Sequence, residues 1–466
     1  MIRPVVVTRW GYLSSYVVIV NGENMKKMNR RNFLKITTAG VASASAFSAV
    51  PIFGQTPKKL RMAQIGIAGR GRDHIGWVRG NNDFVVACDV DSKILNMYNI
   101  PFRKYIDYRK MFENEMDNID AVVISTPDHI HFPIAMTALA NRKAVFCEKP
   151  LTWSVDESLA LARMAEKMKV PTQMGNQGNG REGWRECHAI INNDEIGKVL
   201  EVHTWTNRPR WPQGRERPDP ATQGPCPDTL DWDVYCAVAP HRPYQDEVHP
   251  FKWRGIRDFG TGAFGDMACH TTNAMHQILK PDFDVTVEPI KIEGATEDQY
   301  PSRQIIKSIF AQTDTCPGFV SYWYDGNLKP EKPEALGENH LPGTGCMFIG
   351  TKGVLISEGD YNDRNSIYRN GERLAPGNVE LIIPAGPAIT DEFLAAARGE
   401  REWNDTISNF QYSSKMTAIT NMAIIAEKLN RKITFSKKTM KFDDAEANQM
   451  MHRKPREGWE LGYEHI

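Results

Sequence analysis

The strongest constraint on the fold is an alternation of short, nearly all-apolar segments with helix-like segments over residues 60–177. The apolar runs end at Ile67, Cys88, Ser125 and Cys147, and a last short run follows as VPTQM. Strands that are buried on both faces have this composition, and strand–helix alternation is typical of a parallel sheet covered by helices. The sequence therefore predicts a doubly covered parallel sheet in this part of the chain.

A glycine-rich turn, GIAGRG (Gly66–Gly71), follows the first predicted strand and precedes a helix that we expect to begin near Asp73. This is the context of a dinucleotide-binding loop, because glycines allow a tight turn and a close helix, whose N-terminus then faces a pyrophosphate. The middle glycine of the motif is replaced by Ala68, with Gly69 beside it, so the motif is imperfect.

An acidic residue, Asp89, ends the second predicted strand, about twenty residues beyond the glycine turn. A carboxylate at this place accepts both ribose hydroxyls and repels a 2′-phosphate, which favours NAD over NADP. Arg70 and Arg72 lie close enough in sequence to weaken that preference. Together the turn and the acid predict dinucleotide binding.

The pattern changes beyond about Gly178, where segments such as IIKSIFAQ, GFVSYWYD, GCMFIGTKGVLISE and VELIIP alternate apolar and polar residues. Such alternation favours a largely antiparallel, open sheet with one exposed face. A Pro-, Arg- and Trp-rich segment covers residues 208–254, and two helices follow the last strands. The fold class is therefore α/β, with a leader over residues 1–57, a Rossmann dinucleotide-binding domain over 58–177, and an α/β domain over 178–466.

The leader resembles a twin-arginine export signal, since Arg30 and Arg31 precede FLK and a mildly apolar stretch of small residues. This predicts export to the periplasm, with Met25 or Met28 as the preferred start. The alternative is a basic arm on a cytoplasmic protein. The twin-arginine route carries folded proteins, often with a cofactor already bound, which suggests a tightly held cofactor here.

The composition argues against several partners. Lys+Arg and Asp+Glu both number 57, so neither nucleic acid nor an acidic membrane surface is expected to attract the chain, and no membrane segment is expected after signal removal. The eight cysteines show no CxxC, and Cys226 with Cys236 is the one pair that we consider for a disulfide. Neither the spacing of His129 with His131 nor that of His270 with His276 suggests a zinc site.

Three segments carry candidate chemistry. Lys149 stands at the end of a buried strand within EKP, and STPDHIH ends the preceding strand at the same predicted sheet edge, where open α/β sheets bind ligands. Later, GDMACH places Asp266 and His270 four residues apart and hence on one helix face. The alternative for that pair alone is a surface hydrogen bond.

The glycine turn, DVD, STPDHIH, EKP, NDEIGKVLEV and the GDMACH helix occur in the order found in the Gfo/Idh/MocA family, which includes glucose–fructose oxidoreductase and inositol dehydrogenase relatives. The resemblance covers nearly everything from Leu60 to the last helix. It implies a Rossmann domain followed by an α/β domain whose open sheet often mediates homo-oligomers. It also implies hydride transfer between a nicotinamide and a carbon of a sugar or polyol.

The resemblance also assigns roles. Lys149 would hydrogen-bond the reacting oxygen, His270 would take the hydroxyl proton, and Asp266 would orient the imidazole. Glu148 would lie near the ribose on the nicotinamide side. The expected cofactor-binding residues are Gly66, Ala68, Gly69, Arg70, Gly71, Asp89, Ser125, Thr126, Pro127, His131, Glu148, Lys149 and Gln177.

The long segment after residue 208 is the expected substrate wall, because aromatic faces stack on sugar C–H surfaces while charged side chains bond hydroxyls. Its candidate residues are Trp232, Tyr235, Arg242, His249, Trp253 and Arg254. The alternative is that these aromatic residues only anchor the loop. A loop of this length without a function is uncommon.

Three functions fit these observations. The first is an NAD-dependent oxidoreductase acting on a sugar, polyol or glycoside. The second is a redox-neutral glycosidase or sugar-transforming enzyme that retains its NAD, since an exported enzyme meets no cofactor pool. The third is a cofactor-loaded sugar sensor without turnover, against which the presence of Lys149, Asp266 and His270 argues.

Overall fold

The computed structural model describes residues 17–21, 24–28, 58–216, 222–246, 248–376 and 379–466. The predicted signal, with Arg30 and Arg31, lies outside the described residues. Val17–Asn21 and Asn24–Met28 pair as an antiparallel ribbon within a separate unit, residues 1–56. All other elements belong to one compact unit, residues 57–466.

A six-stranded, all-parallel sheet forms the N-terminal half of that unit, in the order β3-β2-β1-β4-β5-β6. This order is the Rossmann arrangement, which confirms the predicted fold class. The strands are β1 (Arg61–Ile65), β2 (Asp83–Cys88), β3 (Arg103–Tyr105), β4 (Ala121–Ile124), β5 (Ala144–Cys147) and β6 (Thr172–Met174).

The strand register aligns the carboxyl ends of these strands. Ile65 lies opposite both Cys88 and Ile124, and Cys147 lies opposite Ile124 and Met174. The residues that follow these strand ends therefore meet at one sheet edge, as the sequence predicted. The first strand ends two residues before the predicted Ile67.

Helices cover both faces of this sheet. Successive side chains of β1 point to opposite faces of the sheet. Ala63 and Ile65 pack in the apolar cluster on one face, and Met62 packs in the cluster on the other. The helices are α1 (Arg70–Arg79), α2 (Ser92–Asn96), α3 (Tyr108–Glu115), α4 (His131–Ala140) and α5 (Val155–Met168), with 3₁₀ turns at Met116–Asn118, Asp128–Ile130 and Gln177–Gly180.

The C-terminal half contains a ten-stranded sheet in the order β14-β13-β12-β11-β7-β10-β9-β8-β15-β16. Only the pairing of β7 with β10 is parallel, which agrees with the predicted, largely antiparallel sheet. The strands are β7 (Val199–Trp205), β8 (Val285–Glu293), β9 (Arg303–Gln312), β10 (Pro317–Tyr324), β11 (Gly345–Gly350), β12 (Val354–Glu358), β13 (Arg364–Arg369), β14 (Glu372–Leu374), β15 (Ile433–Ser436) and β16 (Lys441–Phe442).

Most helices of the second half pack on one face of this sheet around a single large apolar cluster, whereas α7 and α10 pack in the smaller clusters nearer the Rossmann half. They are α6 (Gly183–Asn192), α7 (Trp232–Cys236), α8 (Gly262–Thr271), α9 (Asn273–Leu279), α10 (Ile389–Ala397), α11 (Phe410–Leu429) and α12 (Ala445–Met450), with 3₁₀ turns at Lys252–Gly255, Glu334–Leu336 and Tyr463–His465.

Two sequence-based expectations need correction or comment. VELIIP, residues 379–384, is not a strand; Val379 and Ile383 pack on the large cluster from an irregular segment that ends at a proline. A proline has no N–H to give to a sheet ladder. The pair Cys226 and Cys236 is not bridged, and all eight cysteines are free. Within the described ranges, no helix is both long and apolar enough to cross a membrane.

Candidate active site

The glycine turn brings α1 against the sheet edge. Gly66 has φ +79°, and a Cβ on it would lie 2.6 Å from the carbonyl oxygen of Ser125. A Cβ on Gly71 would lie 2.1 Å from the carbonyl oxygen of Gly66. Neither position accepts a side chain, so the turn keeps the N-terminus of α1, at Arg70, close to the space above the strands.

Asp89 follows β2 at the same edge. Its carboxylate accepts from the backbone N–H of Ile67 at 3.0 Å and of Asp91 at 3.1 Å. Burial raises the pKa of Asp89 to about 6, although these N–H groups act in the other direction. Arg70 lies nearby, and its guanidinium bonds Glu148 at 2.8 Å and Asp73 at 3.0 Å.

A cavity of about 400 Å³ begins at the glycine turn and Asp89 and runs over the ends of the strands to Lys149. The hydroxyls of Ser125 and Thr126 are buried on its wall and have no partner among the described residues. Unpaired hydroxyls beside a glycine cradle and a ribose-type acid fit a dinucleotide. The predicted residues that line this cavity are Gly66, Ala68, Gly69, Arg70, Asp89, Ser125, Thr126, Pro127, Glu148, Lys149, Tyr235, His249, Trp253 and Arg254.

Lys149 leaves the end of β5 and reaches α8. Its Nζ donates to Asp266 Oδ1 at 2.7 Å and to the main-chain oxygen of Asp266 at 3.1 Å. Burial is the largest single influence and would lower the pKa of Lys149, but the charge of Asp266, its hydrogen bond and the neighbouring Cys269 together raise the pKa. The pKa of Asp266 is lowered to about 2, because Lys149 and then Arg254 outweigh its burial. The pair is therefore ionised at neutral pH.

The preceding residue, Glu148, is held by α1. Its Oε1 accepts from Arg70 Nε and from His74 Nε2, each at 2.8 Å, and Trp77 Nε1 donates to His74 Nδ1 at 2.9 Å. Since the indole can only donate, His74 carries its proton on Nε2 and donates it to Glu148. A Cβ on Gly175 would lie 2.7 Å from this carboxylate. The Glu148–Lys149 turn is thus fixed from both sides.

The predicted role of Asp266 toward His270 differs from the structure. Asp266 bonds Lys149 and, at 3.4 Å, Arg254, whereas Nδ1 of His270 is buried and has no partner in the described part of the chain. A carboxylate between two cations is held there by their charges, which a neutral imidazole cannot match. Burial, with the charge of Lys149, lowers the pKa of His270 to about 3.

Seven predicted residues do not line this cavity: Asp266 and His270, described above, and five more. Gly71 packs under the glycine turn, and the two ring nitrogens of His131 lie 2.8 Å from the carbonyl oxygen of Pro150 and 2.9 Å from that of Thr126, to one of which the neutral ring donates. These two residues shape the wall from behind. The other three are Gln177, which donates to Tyr361, Trp232, which stacks on Tyr235, and Arg242, which pairs with Asp258 and Asp298.

Sequence reasoning missed the turn between β12 and β13, residues 360–363. Tyr361 packs edge-on against His270 with ring centroids 5.0 Å apart, and its hydroxyl accepts from Gln177 Nε2 at 3.0 Å. The guanidinium of Arg181 lies 4.5 Å from the Tyr361 ring. The sequence GDYND predicts a turn, but nothing in it indicates that the turn reaches α8.

Two sequence models of one family match the chain. The one described as "Oxidoreductase family, NAD-binding Rossmann fold" matches residues 60–176. The one described as "Oxidoreductase family, C-terminal alpha/beta domain" matches residues 192–316 and 366–461. Together they cover well over half of the chain, so the protein belongs to the Gfo/Idh/MocA oxidoreductase family and its N-terminal domain is an NAD-binding Rossmann domain.

Curated relatives share part of this chain. Inositol 2-dehydrogenase 2 of Mycolicibacterium vanbaalenii is 28% identical over 170 residues, which are 33% of this chain and 46% of the relative. A glycosyl hydrolase family 109 protein of Shewanella pealeana is 29% identical over 190 residues, 34% of this chain and 41% of the relative. The matched segments thus span less than half the length of these relatives.

Solved structures share the fold over a larger part of the chain. The WlbA dehydrogenase of Bordetella pertussis, solved with NADH and UDP-GlcNAcA, has a TM-score of 0.56 and 16% identity, covering 81% of this chain and 99% of that one. An inositol dehydrogenase homolog of Azotobacter vinelandii, solved with NADH and myo-inositol, has a TM-score of 0.55 and 16% identity, covering 81% and 98%. At this identity the likeness shows the fold alone.

Proposed function

We propose that the protein is an NAD-dependent oxidoreductase that removes hydride from a CH–OH carbon of a sugar, polyol or glycoside. The observation that carries this proposal is the position of an ionised Lys149–Asp266 pair at the inner end of the cavity that starts at the glycine turn. NAD, when bound by the turn, Asp89 and the strand ends, supplies the hydride acceptor.

Lys149 is suited to hold the reacting oxygen. It lines the cavity, keeps its proton because of Asp266, and is anchored by two hydrogen bonds. The third N–H of the ammonium can then donate a hydrogen bond to the oxygen of the substrate hydroxyl and stabilise the negative charge that grows on that oxygen. Glu148, fixed by Arg70 and His74, keeps the lysine pointed in this direction.

His270 is suited to accept the hydroxyl proton. Burial and Lys149 lower its pKa to about 3, so the imidazole is neutral at neutral pH but is a weak base, which takes the proton only as hydride leaves and the hydroxyl becomes strongly acidic. Proton transfer to it places a charge next to Asp266, which compensates that charge across the helix face. Tyr361, packed on the ring, restricts the imidazole to one orientation.

The test is turnover of purified protein on a panel of sugars, polyols and aryl glycosides, followed by the absorbance of reduced nicotinamide. We expect Lys149→Met to lower kcat about 10²- to 10³-fold, as for loss of a positioned charge. Lys198→Met, at an exposed position on the second half, is the matched control and should keep full activity. Equal activity of Lys149→Met and wild type would refute hydride transfer at this site.

A second candidate, redox-neutral sugar transformation with retained NAD, is favoured by a strap across the cavity. The backbone of Thr229 accepts from Ser92 N at 2.8 Å, and Asp231 N donates to Val90 O at 2.9 Å, so a strap, residues 229–231, is tied to the segment that follows Asp89. The side chain of Leu230, which is part of this strap, packs in one apolar cluster with Val90. A strap over the coenzyme cavity would slow its release.

This candidate predicts NAD in the purified protein that appears in solution only after denaturation, and turnover that added NAD does not increase. Leu230→Ala should speed NAD release by loosening the strap. Release of free NADH in proportion to product, with a strict need for external NAD, would exclude it. Binding of sugars without any turnover would instead favour the sensor.

We also propose export by the twin-arginine route and assembly as a homo-oligomer, both from the sequence and its family. Replacing Arg30 and Arg31 by lysine should retain the protein in the cytoplasm in a fractionation assay. Light scattering of the purified chain should give a mass above 52.7 kDa. A periplasmic double-lysine variant, or a monomer mass, would contradict these proposals.

A further inference from the structure

Arg254 lines the cavity beside Asp266 and lacks a full set of partners among the described residues. Its Nε lies 3.4 Å from Asp266 Oδ1, and its Nη1 donates to the carbonyl oxygen of Phe251 at 3.1 Å. No described residue accepts from its Nη2. A guanidinium has five N–H donors in a planar fork, so several donors stay available on the cavity side.

The charges around Arg254 do not balance. Asp266 Oδ1 is already 2.7 Å from Lys149 Nζ, so one carboxylate serves two cations and the contact to Arg254 is the longer one. The other nearby carboxyl, Asp128, is buried and accepts from the Thr261 hydroxyl at 2.7 Å. Burial raises the pKa of Asp128 to about 7, so its charge is only partly developed near neutral pH. This end of the cavity therefore has excess positive charge.

The surroundings hold the guanidinium in place. Its central carbon lies 4.3 Å from the Trp253 ring centroid and 4.7 Å from that of Phe251. Such aromatic faces fix an arginine without using its donors. The arginine is thus oriented but not neutralised.

A second unpaired donor lies on the same wall. Tyr235 lines the cavity with 3% of its surface exposed, and its hydroxyl has no partner among the residues described. Arg254 lines the same cavity as this phenol. A buried, unpaired hydroxyl is unfavourable unless a ligand completes its hydrogen bonds.

We propose that Arg254 and Tyr235 together bind a carboxylate of the substrate, so that the preferred substrates are acidic sugars of the uronate or aldonate class. This deepens the proposed function and rests on it. A planar carboxylate accepts two parallel N–H bonds from a guanidinium and one more from a phenol. Lys149 stays free to bind the hydroxyl that is oxidised.

The experiment compares each acid with its neutral counterpart: glucuronate with glucose, galacturonate with galactose, and gluconate with glucitol. Wild type should favour the acid in kcat/KM by about 10- to 100-fold, as for a charged hydrogen-bonded contact. Arg254→Ala should bring that ratio close to one, Arg254→Lys should keep part of it, and Tyr235→Phe should reduce it a few-fold. Arg163→Ala, at an exposed position of α5, and Tyr244→Phe, packed on Trp232, are the matched controls.

Two further measurements separate the outcomes. NADH affinity is followed by fluorescence titration, and acid binding to NADH-loaded protein by calorimetry. If Arg254→Ala loses NADH affinity but keeps the acid-to-neutral ratio of kcat/KM, Arg254 binds the cofactor and the inference is overturned. A wild-type preference for neutral sugars, or for a sugar phosphate, would also overturn it. Acid binding that depends on Arg254 without any turnover would support this inference while refuting the proposed oxidoreductase activity.

Discussion

Replacing Asp266 by asparagine tests whether this carboxylate serves Lys149, as the structure shows, or His270. Asparagine keeps the shape and an oxygen acceptor but removes the negative charge. Burial lowers the pKa of Lys149, and the charge of Asp266 is the largest of the influences that together raise it above its usual value. The pKa of Lys149 therefore falls in the variant.

The size of the effect follows from the burial of the pair. The side chains of Lys149 and Asp266 are 16% and 12% exposed. Removing one partner of a buried pair destabilises a protein by about 3–5 kcal/mol, and the retained amide oxygen favours the lower end, about 3 kcal/mol. With an unfolding entropy of about 2.1 cal/mol/K per residue over roughly 400 residues, this lowers the melting temperature by about 3–4 °C.

The assay is the dependence of kcat on pH, with Asp117→Asn, an exposed site on the Rossmann domain, as control. Lys149 acts as an ammonium, so activity is lost as pH rises through its pKa. Because that pKa falls in Asp266→Asn, the alkaline limb of the profile should move to lower pH, with kcat at neutral pH reduced about 10²-fold or more. An unchanged alkaline limb together with a shifted acidic limb would refute the reasoning, because it would show that Asp266 acts on His270 and not on Lys149.

Three further predictions concern the supporting structure. His74→Ala should lower kcat about tenfold by releasing the Glu148 carboxylate, and His74→Gln, which can still donate, should recover most of it; equal loss in both would contradict this positioning role. Gly71→Ala should abolish NAD binding in a fluorescence titration, because its Cβ would lie 2.1 Å from a carbonyl oxygen, whereas Gly76→Ala, with open space around its Cβ, should bind normally. Burial lowers the pKa of His276 to about 3, whereas the unfolded chain binds this proton below about pH 6.5, so wild type loses stability as pH falls. Between pH 7 and 4.5 the free energy of urea unfolding should therefore fall by about 2–3 kcal/mol less in His276→Leu than in wild type.

The parallel sheet and its ligand edge could be predicted because they depend on local patterns. The apolar runs that precede Gly66, Asp89, Ser125 and Glu148 are strands buried on both faces, and parallel strands bring their carboxyl ends together. Lys149 is then the next residue at that edge. The chemistry at this edge therefore follows from sequence order and strand direction.

The hydrogen-bond partners could not be predicted in the same way. Helical spacing places Asp266 and His270 on one face, but the choice of partner depends on Lys149 and Arg254, which come from distant parts of the chain. Tyr361 reaches His270 from a hairpin turn of the second sheet. No period in the sequence sets where such a turn lands, since that depends on how the two halves of the chain pack together.

The most direct test of the account is transfer of an isotope from substrate to coenzyme. The protein is mixed with NAD and with a sugar, acidic or neutral, that carries deuterium on its CH–OH carbons, and the dinucleotide is recovered for mass spectrometry. We predict that deuterium appears on the nicotinamide ring with wild type and at a rate about 10²- to 10³-fold lower with Lys149→Met. A sugar transformed while the recovered dinucleotide stays free of deuterium during the first turnover, or label transfer that does not depend on Lys149, would contradict the account.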